Sequence, residues 1–278
     1  MASIDDSPLG KSSAYPSEYA PQLLYPIARS QSRGALVSEA QTLPFFGEDV
    51  WTGFELSWLN TRGLPQVAML EFRLPCESDN IVESKSIKLY LNSFNQSRFA
   101  SLEEVKACIA GDLSAAAGAE VEVKVYPLHQ LMPLAADFSG APFNARCLDQ
   151  QDIAIDTYSP DAALLTTLGT QAVSESWYSD LLKSNCPVTG QPDWASVWIY
   201  YSGKPIDPAG LLRYVVSFRE HQDFHEHCVE RMFCDIMQRC EPQELEVYAR
   251  YTRRGGLDIN PYRSSSKGRA PQVRLVRQ

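Results

Sequence analysis

The run Ser184-Asn185-Cys186-Pro187-Val188-Thr189-Gly190-Gln191-Pro192-Asp193 carries one thiol and one carboxylate on a segment punctuated by two prolines and a glycine. Pro187 and Pro192 restrict the backbone and Gly190 permits a tight turn, so a stiff loop holds both side chains just ahead of the strand-like Trp194-Ala195-Ser196-Val197-Trp198-Ile199-Tyr200-Tyr201. A thiol can attack an electrophile and a carboxyl can hand over a proton, and nucleophilic catalysis needs both near one reacting atom. Burial as a small hydrophobe is the commoner fate of a lone cysteine. The case for catalysis grows because Phe224-His225-Glu226-His227-Cys228 adds imidazole and a further carboxylate downstream.

At 278 residues and 44% hydrophobic content the chain can bury a full core, as one large domain or two small ones. A net charge of −9 argues against a nucleic-acid duplex as partner, because phosphate binding wants a basic surface, and leaves a small molecule as the expected one. The acidic start Met1-Ala2-Ser3-Ile4-Asp5-Asp6 has neither the basic nor the apolar region of a signal peptide, and no apolar run is long enough to span a bilayer. The expected location is therefore cytoplasmic, with no membrane partner. The seven cysteines are odd in number, scattered and without a Cys-x-x-Cys pair, which fits reduced thiols. Cys228, Cys234 and Cys240 recur at a spacing that drifts around a helix instead of converging on one ion. His221 and His225 could share a helix face near Cys228, a weak zinc pattern, and the expectation is no metal.

The two halves read alike. Gly47-Glu48-Asp49-Val50-Trp51 echoes Gly190-Gln191-Pro192-Asp193-Trp194 at an offset of 143, whereas Ser93-Phe94 echoes Ser217-Phe218, and Glu120-Val121-Glu122-Val123 echoes Glu244-Leu245-Glu246-Val247, at 124. Each unit reads as strand, strand, helix, strand. Gln66–Leu74, Arg213–Phe218 and the two Glu-x-Glu-Val segments are expected strands, while Leu102, Val105, Cys108 and Ile109, and then Val229, Met232, Phe233, Ile236 and Met237, fall at helical spacing. Those stripes are read as core. The expected fold is α+β: antiparallel sheets covered on one face by helices, in two similar modules of residues 1–140 and 141–278, with Asp137-Phe138-Ser139-Gly140-Ala141-Pro142 marking the boundary. No Gly-x-Gly-x-x-Gly follows a strand, which argues against a Rossmann domain.

Function is to be sought where the repeat breaks. The first half has nothing matching Cys186, and the second nothing matching Glu83-Ser84-Lys85-Ser86-Ile87-Lys88-Leu89-Tyr90. Lys85 and Lys88 could be solvated strand charges, and Arg253-Arg254-Gly255-Gly256 a plain hairpin turn. Cations and serine beside glycine backbone also suit a phosphate, so an anionic cofactor is the alternative.

At these residues the chain resembles the NADPH-dependent nitrile reductases known as QueF, which convert 7-cyano-7-deazaguanine to its aminomethyl form in queuosine biosynthesis. The resemblance covers nearly the whole chain and rests most on Glu83–Tyr90, Ser184–Asp193, Phe224–Glu226 and Tyr251-Thr252-Arg253-Arg254-Gly255-Gly256-Leu257-Asp258. Division of the signature and the cysteine between halves resembles the longer, bimodular class. The resemblance implies tandem tunnel-fold modules, each a curved antiparallel sheet with helices on one face. It implies that Cys186 attacks the nitrile carbon to give a thioimide, that Asp193 donates the proton this needs, and that His225 donates protons later. It further implies that Val82, Glu83, Ser84, His225 and Glu226 bind the deazapurine, the two glutamates reading its edge, and that Ser84, Lys85, Arg254 and Gly255 bind NADPH. The expected assembly is a homodimer that does not itself bind nucleic acid. Three rivals stand beside this reading: a same-fold zinc-dependent cyclohydrolase, betrayed by bound metal; a thiol redox protein, disfavoured by the lack of a nearby resolving cysteine; and a noncatalytic purine-binding scaffold, betrayed by absence of turnover.

Overall fold

In a computed structural model the described residues are 16, 18–34, 36, 42–128, 144–272, 275 and 277–278. The expected boundary at 137–142 lies outside them. The chain divides into two compact units: residues 1–33, 49–135 and 253–259, and residues 34–48, 136–252 and 260–278.

The first unit holds β1 (Pro26–Ala28), α1 (Ser30–Arg33), most of β2 (Phe46–Leu59), β3 (Pro65–Pro75), β4 (Asn80–Val82), α2 (Ser84–Asn92), α3 (Leu102–Ala117) and β5 (Glu122–Pro127). Its sheet runs β5-β3-β2, and β3 pairs antiparallel with β5, Leu70 opposite Val125 and Phe72 opposite Val123. Ala68, Leu70, Phe72 and Leu74 alternate along β3 and share one core cluster with Ile87, Tyr90 and Leu91 of α2 and Val105, Ile109 and Leu113 of α3. Each such side chain contributes about 1.5–3 kcal/mol by leaving water, so both helices are held to one face of the sheet. Ser101 caps α3 by accepting from the Glu104 N–H, and Gly118, at φ +70°, ends it in the left-handed conformation.

The second unit holds β6 (Arg146–Cys147), β7 (Val173–Asn185), β8 (Pro192–Gly203), α4 (Pro208–Ser217), α5 (His225–Cys240), β9 (Glu244–Tyr251) and most of β10 (Leu257–Ser264). The strand order is β10-β9-β8-β7-β6, antiparallel except where β6 runs parallel to β7. Leu245, Val247, Ala249 and Tyr251 of β9 and Val197, Ile199 and Tyr201 of β8 are buried at alternate positions, as are Val229, Met232, Phe233 and Ile236 on α5. The α+β reading with helices on one face therefore holds.

The units repeat each other in detail. Glu83 caps α2 as Asp207 caps α4; Tyr90 donates to Asp112 Oδ2 at 2.6 Å as Tyr214 donates to Asp235 Oδ2 at 2.6 Å; Ser93 and Ser217 hydroxyls donate to the carbonyls of Tyr90 and Tyr214. All of these follow the offset of 124, give or take one residue. The 143-residue echo does not, because Gly47–Trp51 lies in β2, the first strand of the β2–β3 pair, and Gly190–Trp194 leads into β8, the second strand of the β7–β8 pair.

Three other expectations are corrected. Each unit carries two helices after its strand pair, not one. Arg213–Phe218 is not a strand but the end of α4 and a following 3-10 turn; Asp207 accepts from the Ala209 and Gly210 N–H groups and Pro208 opens the helix, which outweighs the β-branched Val215-Val216. Glu83–Tyr90 is the start of α2, so Lys85 and Lys88 are helical, and α4 is its counterpart in the second unit.

Candidate active site

Strands β7 and β8 form a hairpin whose last register pairs are Ser184 with Asp193 and Asn185 with Pro192. The Cys186 N–H donates to the Gln191 carbonyl at 2.9 Å and the Gly190 N–H to the Cys186 carbonyl at 3.0 Å, so the loop is closed on itself, with Gly190 at φ +66° making the turn. Side chains alternate across a strand, so Leu182, Ser184 and Cys186 share the helix-bearing face, and so do Asp193 and Ala195. The same parity puts Tyr251 there, since it pairs with Ala195. Cys186 and Asp193 thus stand at one end of one face, 3% and 7% exposed.

Helix α5 begins at this place. His225, its first residue, brings Nε2 to 3.3 Å from Asp193 Oδ2 and stacks face to face on the Tyr251 ring, with centroids 3.8 Å apart and planes 19° apart. Glu226 follows, almost wholly buried. The structure therefore brings Cys186, Asp193, His225 and Glu226 to one end of the second unit. A thiol, a carboxyl paired with an imidazole, and a helix N-terminus that favours negative charge can together add a nucleophile to a polar multiple bond and protonate the atom that becomes basic.

Beneath the first turn of α5, burial pushes the Asp223 carboxyl up, but His221 and His227 overcome it and leave the group well below the usual carboxylate range. His227 Nδ1, at 3.1 Å from Oδ1, is the hydrogen-bonded partner; His221 Nε2 lies at 3.7 Å from Oδ2, just beyond hydrogen-bond reach. A depressed carboxyl contributes stability that is fully present above its unfolded value near 4 and lost as pH falls through the folded value. Asp223→Asn is accordingly expected to lower stability by about 1.5–3 kcal/mol at pH 7, as for hydrogen bonds to a charged group. Denaturant unfolding at pH 7 and pH 3 checks this: the gap from wild type should shrink at the lower pH, and an unchanged gap would remove the carboxylate as its cause.

The other expected site residues lie in the first unit. Glu83 places Oε1 2.6 Å from the Lys85 N–H and Oε2 2.8 Å from the Ser86 N–H, so its carboxylate caps α2. Burial pushes that carboxyl above its ordinary value, against the hydrogen bonds from Lys85 and Ser86. Val82 is buried in the core cluster, which leaves its main chain rather than its side chain for any contact with a ligand. Ser84 and Lys85 open α2, half-buried. Arg254 and Gly255 join them across the chain: Gly255 and Gly256, at φ +58° and +75°, make the two-residue turn into β10, where both positions require positive φ. A Cβ on Gly255 would fall 2.8 Å from Lys88 Nζ, so the lysine of α2 lies against the bare backbone of this turn.

A cationic helix face beside a glycine turn is a donor set suited to the phosphates of a dinucleotide, so the residues fit NADPH. Two neighbours, Ser184 and Tyr251, were not among the expected residues and are recognisable only once strand register is known. Lys88, one of the cations weighed for an anionic cofactor, lies three residues beyond Lys85 on the same helix. His221 and His225 do not share a helix, since α5 begins at His225. Among the described residues no group of three or more histidine, cysteine, aspartate or glutamate side chains is placed to hold a metal, and no helix is long and apolar enough to cross a membrane.

Comparison with known proteins gives the family of the chain. Residues 15–125 match the family described as nitrile reductase, 7-cyano-7-deazaguanine-reductase N-term, and residues 192–270 match that described as QueF-like protein. The NADPH-dependent 7-cyano-7-deazaguanine reductase of Azoarcus sp. (strain BH72) is 58% identical over 98% of this chain and 95% of its own length. The chain belongs to the NADPH-dependent 7-cyano-7-deazaguanine reductases. Reductases of the same name from Dechloromonas aromatica (strain RCB), 57% identical over 98% of this chain and 95% of theirs, and Bordetella avium (strain 197N), 54% over 99% of both, agree. As a member of this reductase family the protein is an oxidoreductase with NADPH as its cofactor. The crystal structure of apo archaeosine synthase QueF-Like covers 36% of this chain and 100% of its own at 16% identity and a TM-score of 0.31, a likeness too slight to bear on the fold.

Proposed function

We propose that the protein reduces the nitrile of 7-cyano-7-deazaguanine to the aminomethyl group in four electrons, through a thioimide on Cys186. The observation that supports it most is the grouping of Cys186, Asp193 and the Asp193–His225 pair under the N-terminus of α5. A nitrile carbon accepts a thiolate readily only when its nitrogen is protonated as the new bond forms. The Cys186 sulfur forms the C–S bond while Asp193 delivers a proton to nitrogen, leaving a thioimide. NADPH, when bound, supplies the hydride that reduces carbon, twice in the full reaction.

Between those reductions the C–S bond breaks, Cys186 leaves as thiolate and an imine remains. His225, paired with Asp193, holds and returns the protons that nitrogen takes up as it becomes an amine. Glu226 accepts from the N–H donors on the edge of the deazapurine, and Glu83 does so with the acceptor capacity left after capping α2. The Val82 main chain and Ser84 complete the contacts with substrate. Ser84, Lys85, Arg254 and the open backbone at Gly255 hold NADPH. On this reading the protein acts on a free small molecule in the cytoplasm, as a homodimer, and supplies an intermediate for tRNA modification without binding nucleic acid.

Oxidation of NADPH dependent on the cyano-deazaguanine tests the reading, and its absence in folded protein would end it. The division of roles makes a second prediction. Lys85→Ala should raise the Michaelis constant for NADPH about 10- to 150-fold, the loss of one charge-assisted contact worth roughly 1.5–3 kcal/mol. Capture of the nitrile on Cys186 needs no cofactor and should persist in that variant. An unchanged constant for NADPH would remove Lys85 from the cofactor site.

A further inference from the structure

His225 Nε2 lies 3.3 Å from Asp193 Oδ2, and its Nδ1 is buried with no hydrogen-bond partner among the described residues. A histidine used for proton transfer is ordinarily oriented by a hydrogen bond on the nitrogen not in use, which fixes ring plane and tautomer. No described residue makes that hydrogen bond, and His225 is the first residue of a helix, where backbone hydrogen bonds are fewest. The contact that bears on the ring plane is its stacking on Tyr251.

We propose that Tyr251 is the positioning residue for His225, its ring serving as a flat platform that confines the imidazole to the plane in which Nε2 meets Asp193. The proposal deepens the reading of Cys186, Asp193 and His225 above and rests on it. The contact is closer than most aromatic pairs, whose centroids lie about 4.5–7 Å apart, and it is nearly parallel. The platform is rigid: Tyr251 is 1% exposed, the last residue of β9, paired with Ala195 of β8 and so in register with the strand that carries Asp193. Tilting the imidazole out of its plane towards the sheet would drive it into the tyrosine ring. The hydroxyl plays a different part. Burial, and then the Cys228 thiol beside it, push it well above its ordinary value, and it is the ring face, not the hydroxyl, that meets the imidazole. The ring, not the hydroxyl, is therefore the working part.

Two substitutions separate ring from hydroxyl. Tyr251→Phe keeps the platform and should leave turnover within about threefold of wild type; Tyr251→Leu removes it and should lower kcat about 10- to 100-fold, the scale on which small misplacement of a catalytic group is felt. Tyr251→Met, unbranched and better able to adapt to the space left, serves if the leucine variant does not fold. In either variant without the ring the Michaelis constant for NADPH and formation of the mass adduct on Cys186 should be unchanged, because capture precedes the steps assigned to His225. In a His225→Ala background, removing the ring should cause no further loss, since the imidazole it orients is gone.

The proposal is overturned if the ringless variant turns over like wild type, if Tyr251→Phe is impaired as badly as it is, or if its loss is undiminished without His225. Failure of the underlying reading shows itself differently: wild type would form no adduct, or His225→Ala would turn over normally.

Discussion

Replacing Cys186 with alanine is expected to abolish nitrile reduction, with NADPH oxidation falling by more than about 10⁴-fold, the scale on which loss of a covalent nucleophile is felt. The thiol is one of seven and the only one on the loop between β7 and β8. Cys228 and Cys240 are buried on α5, with thiols pushed up by burial, and neither stands on the loop closed by the Cys186–Gln191 hydrogen bond. The truncation removes a side chain at the end of a hairpin whose main-chain hydrogen bonds do not depend on it, so the variant should fold. Substrate-dependent NADPH oxidation under single-turnover conditions is the measurement. A folded variant retaining more than a few per cent of the wild-type rate would mean that carbon is reduced without a bond to sulfur.

Asp193→Ala should lose about 10²- to 10⁴-fold in kcat, the usual value of a positioned proton donor. Its carboxylate also supports His225 from 3.3 Å, so the substitution removes the direct donor and the partner of the later one together. Asp193→Asn preserves shape and some hydrogen bonding but cannot give up a proton, and should be nearly as inactive. If the asparagine variant were close to wild type, the carboxylate would be orienting the site rather than supplying protons. Thermal unfolding of both variants separates this from loss of fold.

Much of this was legible in the sequence because the signals were local. The stripes of Val105 and Ile109, and of Met232, Phe233 and Ile236, gave α3 and α5; the prolines and glycine around Cys186 gave a stiff loop. Where local signals compete, no single one of them decides the element. Leu211 to Phe218 is apolar on nearly every side because α4 is buried broadly, which hides helical period, and only the Asp207-Pro208 start marked it as helix. Segment Glu83–Tyr90 was obscured by its lysines, although Ile87, Tyr90 and Leu91 fall at helical spacing and pack into the core together. The site was legible as far as its chemistry lay within single motifs. Tyr251 was not, because its partnership with His225 depends on strand register between β8 and β9, which no spacing along the chain contains.

The central claim is that the nitrile is captured on Cys186 before any reduction takes place. Intact-mass analysis of the protein incubated with saturating 7-cyano-7-deazaguanine and no NADPH tests it most directly. The account predicts that wild type gains the mass of one nitrile per chain, that Cys186→Ala gains nothing, and that adding NADPH discharges the adduct from wild type. Unmodified wild type, or an adduct that persists in Cys186→Ala, would contradict it.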